Sequence, residues 1–134
     1  MATSSTNERQ AGARSAYLTS MAACPTHRVL DRMGERWVSL ILKELAHGPR
    51  RHGELARAVA GASQKMLTQT LRGLQRDGLV SRSATASVPP RVEYRLTQLG
   101  ESLIPVMAAV TAWAQRHIGD IDDARVAYDS AISG

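Results

Sequence analysis

Along most of the chain apolar side chains recur at helical spacing, and in one stretch the period shortens to two. In "CPTHRVLDRMG", Pro25 suits a first helical position, Val29, Leu30 and Met33 recur on one side, and Gly34 closes the element. "ERWVSLILKELAHGP" predicts a second helix with Trp37, Leu40, Ile41, Glu44 and Leu45 along one strip, stopped at His47-Gly48-Pro49. "RHGELARAVAG" predicts a third, short helix that turns Leu55 and Val59 inward and ends at Gly61. Ser63 then stands where an N-cap belongs, ahead of a longer helix that Gly78 terminates. That helix carries Met66, Leu67, Thr70, Leu71 and Leu74 on one side and Lys65, Thr68, Gln69, Arg72 and Arg76 on the other.

Beyond Gly78 the pattern alternates. Val92, Tyr94 and Leu96 interleave with Glu93, Arg95 and Thr97, as in a half-buried strand, and Pro89-Pro90 separate it from "LVSRS" as the tip of a hairpin. Thr97 is placed to cap a last long helix with an apolar strip of Leu99, Leu103, Val106, Met107, Val110 and Trp113, in which Pro105 should introduce a kink. Residues 1–20 are polar, rich in Ser, Thr and Ala, and are expected to form a flexible arm. Residues 119–134 are expected to be a tail or one or two further helical turns. The working domain is therefore 21–118. A short helix, a tight turn, a longer helix and a hairpin make a winged helix-turn-helix: a mainly α fold with a small β-hairpin.

Composition narrows the class. A length of 134 residues suits one domain with a real core, and 43 % hydrophobic with 22 % charged residues is ordinary for a globular protein. Phe is absent, so the core has to come from Leu, Val, Ile, Met and two Trp, a set that favours helices. No signal-like apolar run opens the chain and no stretch approaches a membrane span, which points to the cytoplasm and against a membrane partner.

Charge sharpens the picture by its placement. The formal net charge is +5. Basic and acidic side chains number nine and five in residues 1–62, six and two in 63–97, and two and five in the remainder. The basic excess is thus densest around the capped helix and the hairpin, as a polyanion-binding module would show. On the outward side of that helix Lys65, Gln69, Arg72 and Arg76 lie within about 60° of one another, with Thr68 alongside. An ordinary solvated face is the competing reading. Against it, the face has no acidic residue before Asp77, and its side chains are of the types that bond bases and phosphates. It also lies on the second helix of a helix-turn-helix, the one that enters the major groove. Ser63, Gln64, Lys65, Thr68 and Gln69 would then approach base edges, Arg72 and Arg76 the flanking phosphates, and Arg82 and Arg91, with Arg95 beside them, the backbone or minor groove.

Other candidate chemistry is sparse. Cys24 is the single cysteine, at a helix start and followed by His27 and Arg28, a setting that favours the thiolate; a small packed residue without a signalling role is the alternative. Cys24 and His27 fall short of the four ligands of a structural zinc, and His47, His52 and His117 are scattered, so no metal or other cofactor is expected. Without a Gly-rich phosphate loop, nucleophile elbow or paired carboxylates near a His, no catalytic residues are assigned. A small thiol-dependent enzyme and a protein-binding adaptor on the same fold remain the other classes. The strip from Leu99 to Trp113 is more apolar than a terminal helix needs, which suggests a subunit interface, a core-only role being the alternative.

"CPTHRVLDRMGERWVSLILKEL", "GPRRHGELARAVAGASQKMLTQTLRGLQRDGLV" and "VPPRVEYRLTQLGESLIPV" together resemble the HxlR family of bacterial winged helix-turn-helix transcriptional regulators, from about Cys24 to Trp113. The resemblance implies a homodimer, joined through the first and last long helices, that binds an inverted-repeat operator in double-stranded DNA. Its two recognition helices would lie about one DNA turn, roughly 34 Å, apart. It implies a nucleoid-associated regulator, most simply a repressor. It also implies that Cys24 can sense an oxidant or a small electrophile, through a sulfenic acid, a mixed disulfide or a bridge between subunits. One departure is His52, where the family usually carries an aromatic residue after the paired arginines.

Overall fold

The computed structural model describes residues 2–133, with the backbone alone for 2–5 and 21–22. In order they form helices α1 (Ala2–Ala23), α2 (Pro25–Met33) and α3 (Val38–Leu45), strand β1 (Arg50–Arg51), helices α4 (His52–Ala58) and α5 (Gln64–Arg76), strands β2 (Val80–Ala84) and β3 (Val92–Leu96), and helix α6 (Gln98–Ser133). The chain divides into two units, Met1–Ser39 and Leu40–Gly134.

In the first unit, the segment expected as a polar arm is helical: α1 runs from Ala2 to Ala23. Its composition allows this, because Ala is the best helix former and no Gly but Gly12 interrupts it. α2 has the boundaries its residues suggest, with Cys24 at the N-cap, Pro25 in the first turn and the Gly34 N–H bonded to the Leu30 carbonyl at 2.8 Å. The Arg36 guanidinium lies 5.5 Å from the centroid of the Trp37 ring.

The core of the second unit comes from α3, α4, α5, β2 and β3. Ile41, Leu42 and Leu45 of α3, Leu55 and Val59 at α4, Leu67, Leu71 and Leu74 of α5, Val80 of β2 and Tyr94 of β3 are all buried. Val38, at the start of α3, is buried as well. The strip expected on α3 is therefore rotated. Leu40 is 43 % exposed, and the buried positions are Val38, Ile41, Leu42 and Leu45. Glu44 is half-buried and accepts from the Arg50 guanidinium at 3.1 Å, which carries the chain from α3 into β1.

α5 follows from its caps and its period. The Ser63 hydroxyl oxygen accepts the Met66 N–H at 3.1 Å, and Leu67, Thr70, Leu71 and Leu74 face inward. Thr70 is tolerated there because its hydroxyl donates to the Met66 carbonyl at 2.8 Å. At the other end Gly78 takes φ 75°, its N–H bonds the Gln75 carbonyl, and the Leu79 N–H bonds the Leu74 carbonyl, both at 3.0 Å. That pair of bonds is a Schellman turn, which requires a left-handed residue and so explains the glycine. Thr97 locks the same corner. Its hydroxyl donates to the Gly78 carbonyl at 2.6 Å and accepts the Gly100 N–H at 3.1 Å, so one side chain caps α6 and ties it to the end of α5.

The sheet has three antiparallel strands in the order β1-β3-β2, one more than the hairpin legible in the sequence. β2 and β3 pair from Val80↔Leu96 to Ala84↔Val92, and β1 adds Arg50↔Tyr94 and Arg51↔Glu93 on the other edge. α6 continues without a break through Pro105 to Ser133, so residues 119–133 extend the long helix rather than forming a separate tail. Among the described residues no helix is long and apolar enough to cross a membrane.

Candidate nucleic-acid interface

α4, residues 59–63 and α5 form the helix-turn-helix, and the buried side of α5 fixes which side chains look outward. Ser63, Gln64, Lys65, Gln69, Arg72 and Arg76 are all exposed. Lys65, Arg72 and Arg76 make no ion pair with the described residues. A helix face whose cations are left without carboxylates keeps its charge available for an anion, because no local partner competes for it. Thr68 sits at the edge of this face. It is half-buried, and its hydroxyl lies 3.4 Å from His52 Nε2. Met66, expected inward, is instead 45 % exposed and joins the outward side near the start of the helix. Ser63 has a double position: its oxygen is used by the cap, while its hydroxyl proton remains free to donate.

The wing is the β2–β3 hairpin and its tip. At the tip the Thr85 N–H bonds the Arg91 carbonyl at 2.8 Å, the Arg91 N–H bonds the Thr85 hydroxyl at 3.1 Å, and Ser87 donates to the Pro89 carbonyl at 3.1 Å. The tip is thus held by hydrogen bonds as well as by its prolines, and it presents Arg91 and Val88 to solvent. The register separates the three wing arginines. Arg82 pairs with Tyr94 and shares its face, whereas Arg95 is the next residue and must point to the other. Arg95 is therefore not beside Arg82. Its guanidinium lies 3.8 Å from Glu93, and it lines a groove of about 500 Å³ with His47, Glu101 and Ile104.

The replacement of an aromatic by His52 is accommodated. The ring is half-buried, lies 6.5 Å from that of Tyr94 at an interplanar angle of 51°, and turns its Nε2 towards Thr68. His52 also lines a second groove, of about 570 Å³, between the start of α4 and the wing tip, with Arg51 and Arg91. Arg51 was not among the candidate site residues. The paired arginines are visible in the sequence, but nothing in it indicates that β1 would set one of them opposite the wing tip.

On α6, Leu99, Val106, Val110 and Trp113 are exposed while Leu103 and Met107 are half-buried. The Trp113 ring stacks at 4.8 Å on that of His117. Cys24 is exposed, and its side chain makes no capping bond to α2. His27, one turn on, lies 3.6 Å from Asp31. Among the described residues there is no group of three His, Cys, Asp or Glu arranged to hold a metal ion.

Comparison with known proteins agrees with this architecture. The HxlR-like helix-turn-helix family profile matches residues 32–122. YkvN of Bacillus subtilis, an HTH-type transcriptional regulator, is 48 % identical over 91 residues, covering 68 % of this chain and 77 % of that protein. YtfH of Escherichia coli, described in the same words, is 41 % identical over 98 residues, covering 73 % and 78 %. Among solved structures, the redox regulator HypR in its reduced form superposes with a TM-score of 0.71 at 32 % identity, over 75 % of this chain and 99 % of that one. The chain belongs to the HxlR-like helix-turn-helix family and is a transcriptional regulator that binds DNA rather than an enzyme.

Proposed function

We propose that the chain acts as a homodimer on an inverted-repeat operator in double-stranded DNA and represses by occupying a promoter, in the cytoplasm and on the nucleoid. One observation carries this reading: the outward face of α5 holds Lys65, Arg72 and Arg76 with no ion pair among the described residues, on the second helix of a helix-turn-helix. Ser63, Gln64, Lys65, Thr68 and Gln69, on the first turns, read base edges, and Arg72 and Arg76 anchor phosphates. Arg82 and Arg91 supply the wing contact. Arg95, on the face opposite Arg82 and with its guanidinium 3.8 Å from Glu93, contributes less to that contact.

The exposed strip of Leu99, Val106, Val110 and Trp113, with Leu103 and Met107, forms the subunit interface. Exposed apolar side chains at this spacing favour a partner surface over a core-only role. Cys24, exposed at the start of α2, is the sensor of an oxidant or a small electrophile. The likeness to HypR, named as a redox regulator, supports that part.

A gel shift against the DNA upstream of the protein's own gene tests the reading, with random DNA as the comparison. Gln69→Ala should weaken operator binding by about 1–3 kcal/mol and relax specificity. Arg91→Ala should weaken operator and random DNA alike and lower the salt slope by about one. Equal effects of the two substitutions on both DNAs would refute the division between readout and anchoring. A wild-type chain that shifts no DNA would favour the adaptor reading instead.

A further inference from the structure

The groove between the start of α4 and the wing tip is lined by Arg51 and His52 on one wall and by Ser87 and Arg91 on the other, with no carboxylate among its lining residues. We propose that this groove seats one phosphate of the DNA backbone, with Arg51 and Arg91 as its two cationic donors and His52 as a positioning residue behind them. The inference rests on the DNA-binding reading and adds to it a contact outside the recognition helix.

The backbone of both walls is held before any ligand arrives. Arg51 stands in β1, paired with Glu93 of β3, and its N–H is held by the Glu54 carboxylate at 3.1 Å. Glu54 is thus engaged at the backbone and is not among the residues lining the groove. Arg91 is fixed by the bonds that close the tip on Thr85. Neither guanidinium has an ion-pair partner among the described residues. Two arginines without ion pairs make the lining of this groove cationic, and a phosphodiester seated in it would accept hydrogen bonds from both.

His52 connects this seat to the reading face. Its ring is braced by Tyr94 at 6.5 Å, and its Nε2 lies 3.4 Å from the hydroxyl of Thr68 on α5. A phosphate drawn into the groove therefore settles against a side chain in contact with a base-reading residue, which sets the depth of α5 relative to the backbone it straddles. A nonpolar ring at position 52 would brace Tyr94 equally well but would leave Thr68 without that partner.

The test is an anisotropy titration of the full chain against operator and random duplexes of equal length over a range of salt concentrations. Arg51→Ala should weaken both duplexes alike by about fivefold to tenfold and lower the salt slope by about one, and Arg51→Lys should keep the slope. Arg51→Ala and Arg91→Ala combined should cost less than the product of the two single losses, because they share one anion. His52→Phe should keep the salt slope yet reduce discrimination between operator and random DNA, with His52→Gln restoring it. Unchanged affinity and slope in Arg51→Ala, or a fully multiplicative double variant, would overturn the shared seat while leaving DNA binding itself intact. Equal discrimination in His52→Phe and the wild type would overturn the positioning role. A wild-type chain that binds neither duplex would overturn both this inference and the reading beneath it.

Discussion

Cys24 has a free side chain and a fixed place: exposed, at the N-cap of α2, with Pro25 following. If it is the sensor, diamide should release the wild-type protein from its operator and leave Cys24→Ser bound, as read by gel shift with and without reductant. Release that persists in Cys24→Ser would remove the cysteine from the mechanism. A dimer band on a non-reducing gel would identify the product as a bridge between subunits, since the chain has one cysteine. Other residues depart from their patterns for local reasons. Met66 lies at the edge of the apolar arc of α5, and close to half of it remains in solvent. Thr68 lies at the opposite edge, where only the fold reveals the neighbouring His52 ring.

At the scale of elements, α5 depends on its two ends. The Ser63 cap satisfies a backbone donor in the first turn, and the Schellman turn at Gly78 satisfies carbonyls in the last. Ser63→Ala should lower stability by about 1 kcal/mol in a urea melt, and Ser63→Asp should restore it, because aspartate caps as well. Comparing the two on DNA separates the structural part of Ser63 from any base contact, since the acidic cap would repel the backbone. Caps and breakers were legible because they act through neighbours in sequence. β1 was not, as two residues are too few to show a period. α3 starts at Val38 rather than Glu35, and packing buries Val38, Ile41, Leu42 and Leu45 while Leu40 stays exposed.

At the scale of the molecule, α6 spans Gln98–Ser133 and leaves Val110 and Trp113 more than half exposed. As a dimer interface, this face should be sensitive to one buried charge. Val110→Glu should give a monomer by light scattering with its helix content kept, and operator affinity should fall at least about tenfold because one half-site is lost. An unchanged dimer would move the interface off this strip.

The order of helices, the turn, the wing and the basic outward face of α5 are legible along the chain, because caps, glycine breakers and hydrophobic period are local signals that agree with one another. The sequence also carries the motifs by which the family is recognised. Folding sets which face of α3 is buried, that β1 completes the sheet, that Arg95 points away from Arg82, and that Arg51, His52 and Arg91 share one groove. Each of these depends on register or on packing between segments distant in the chain, and a difference of one residue in register turns a side chain to the opposite face.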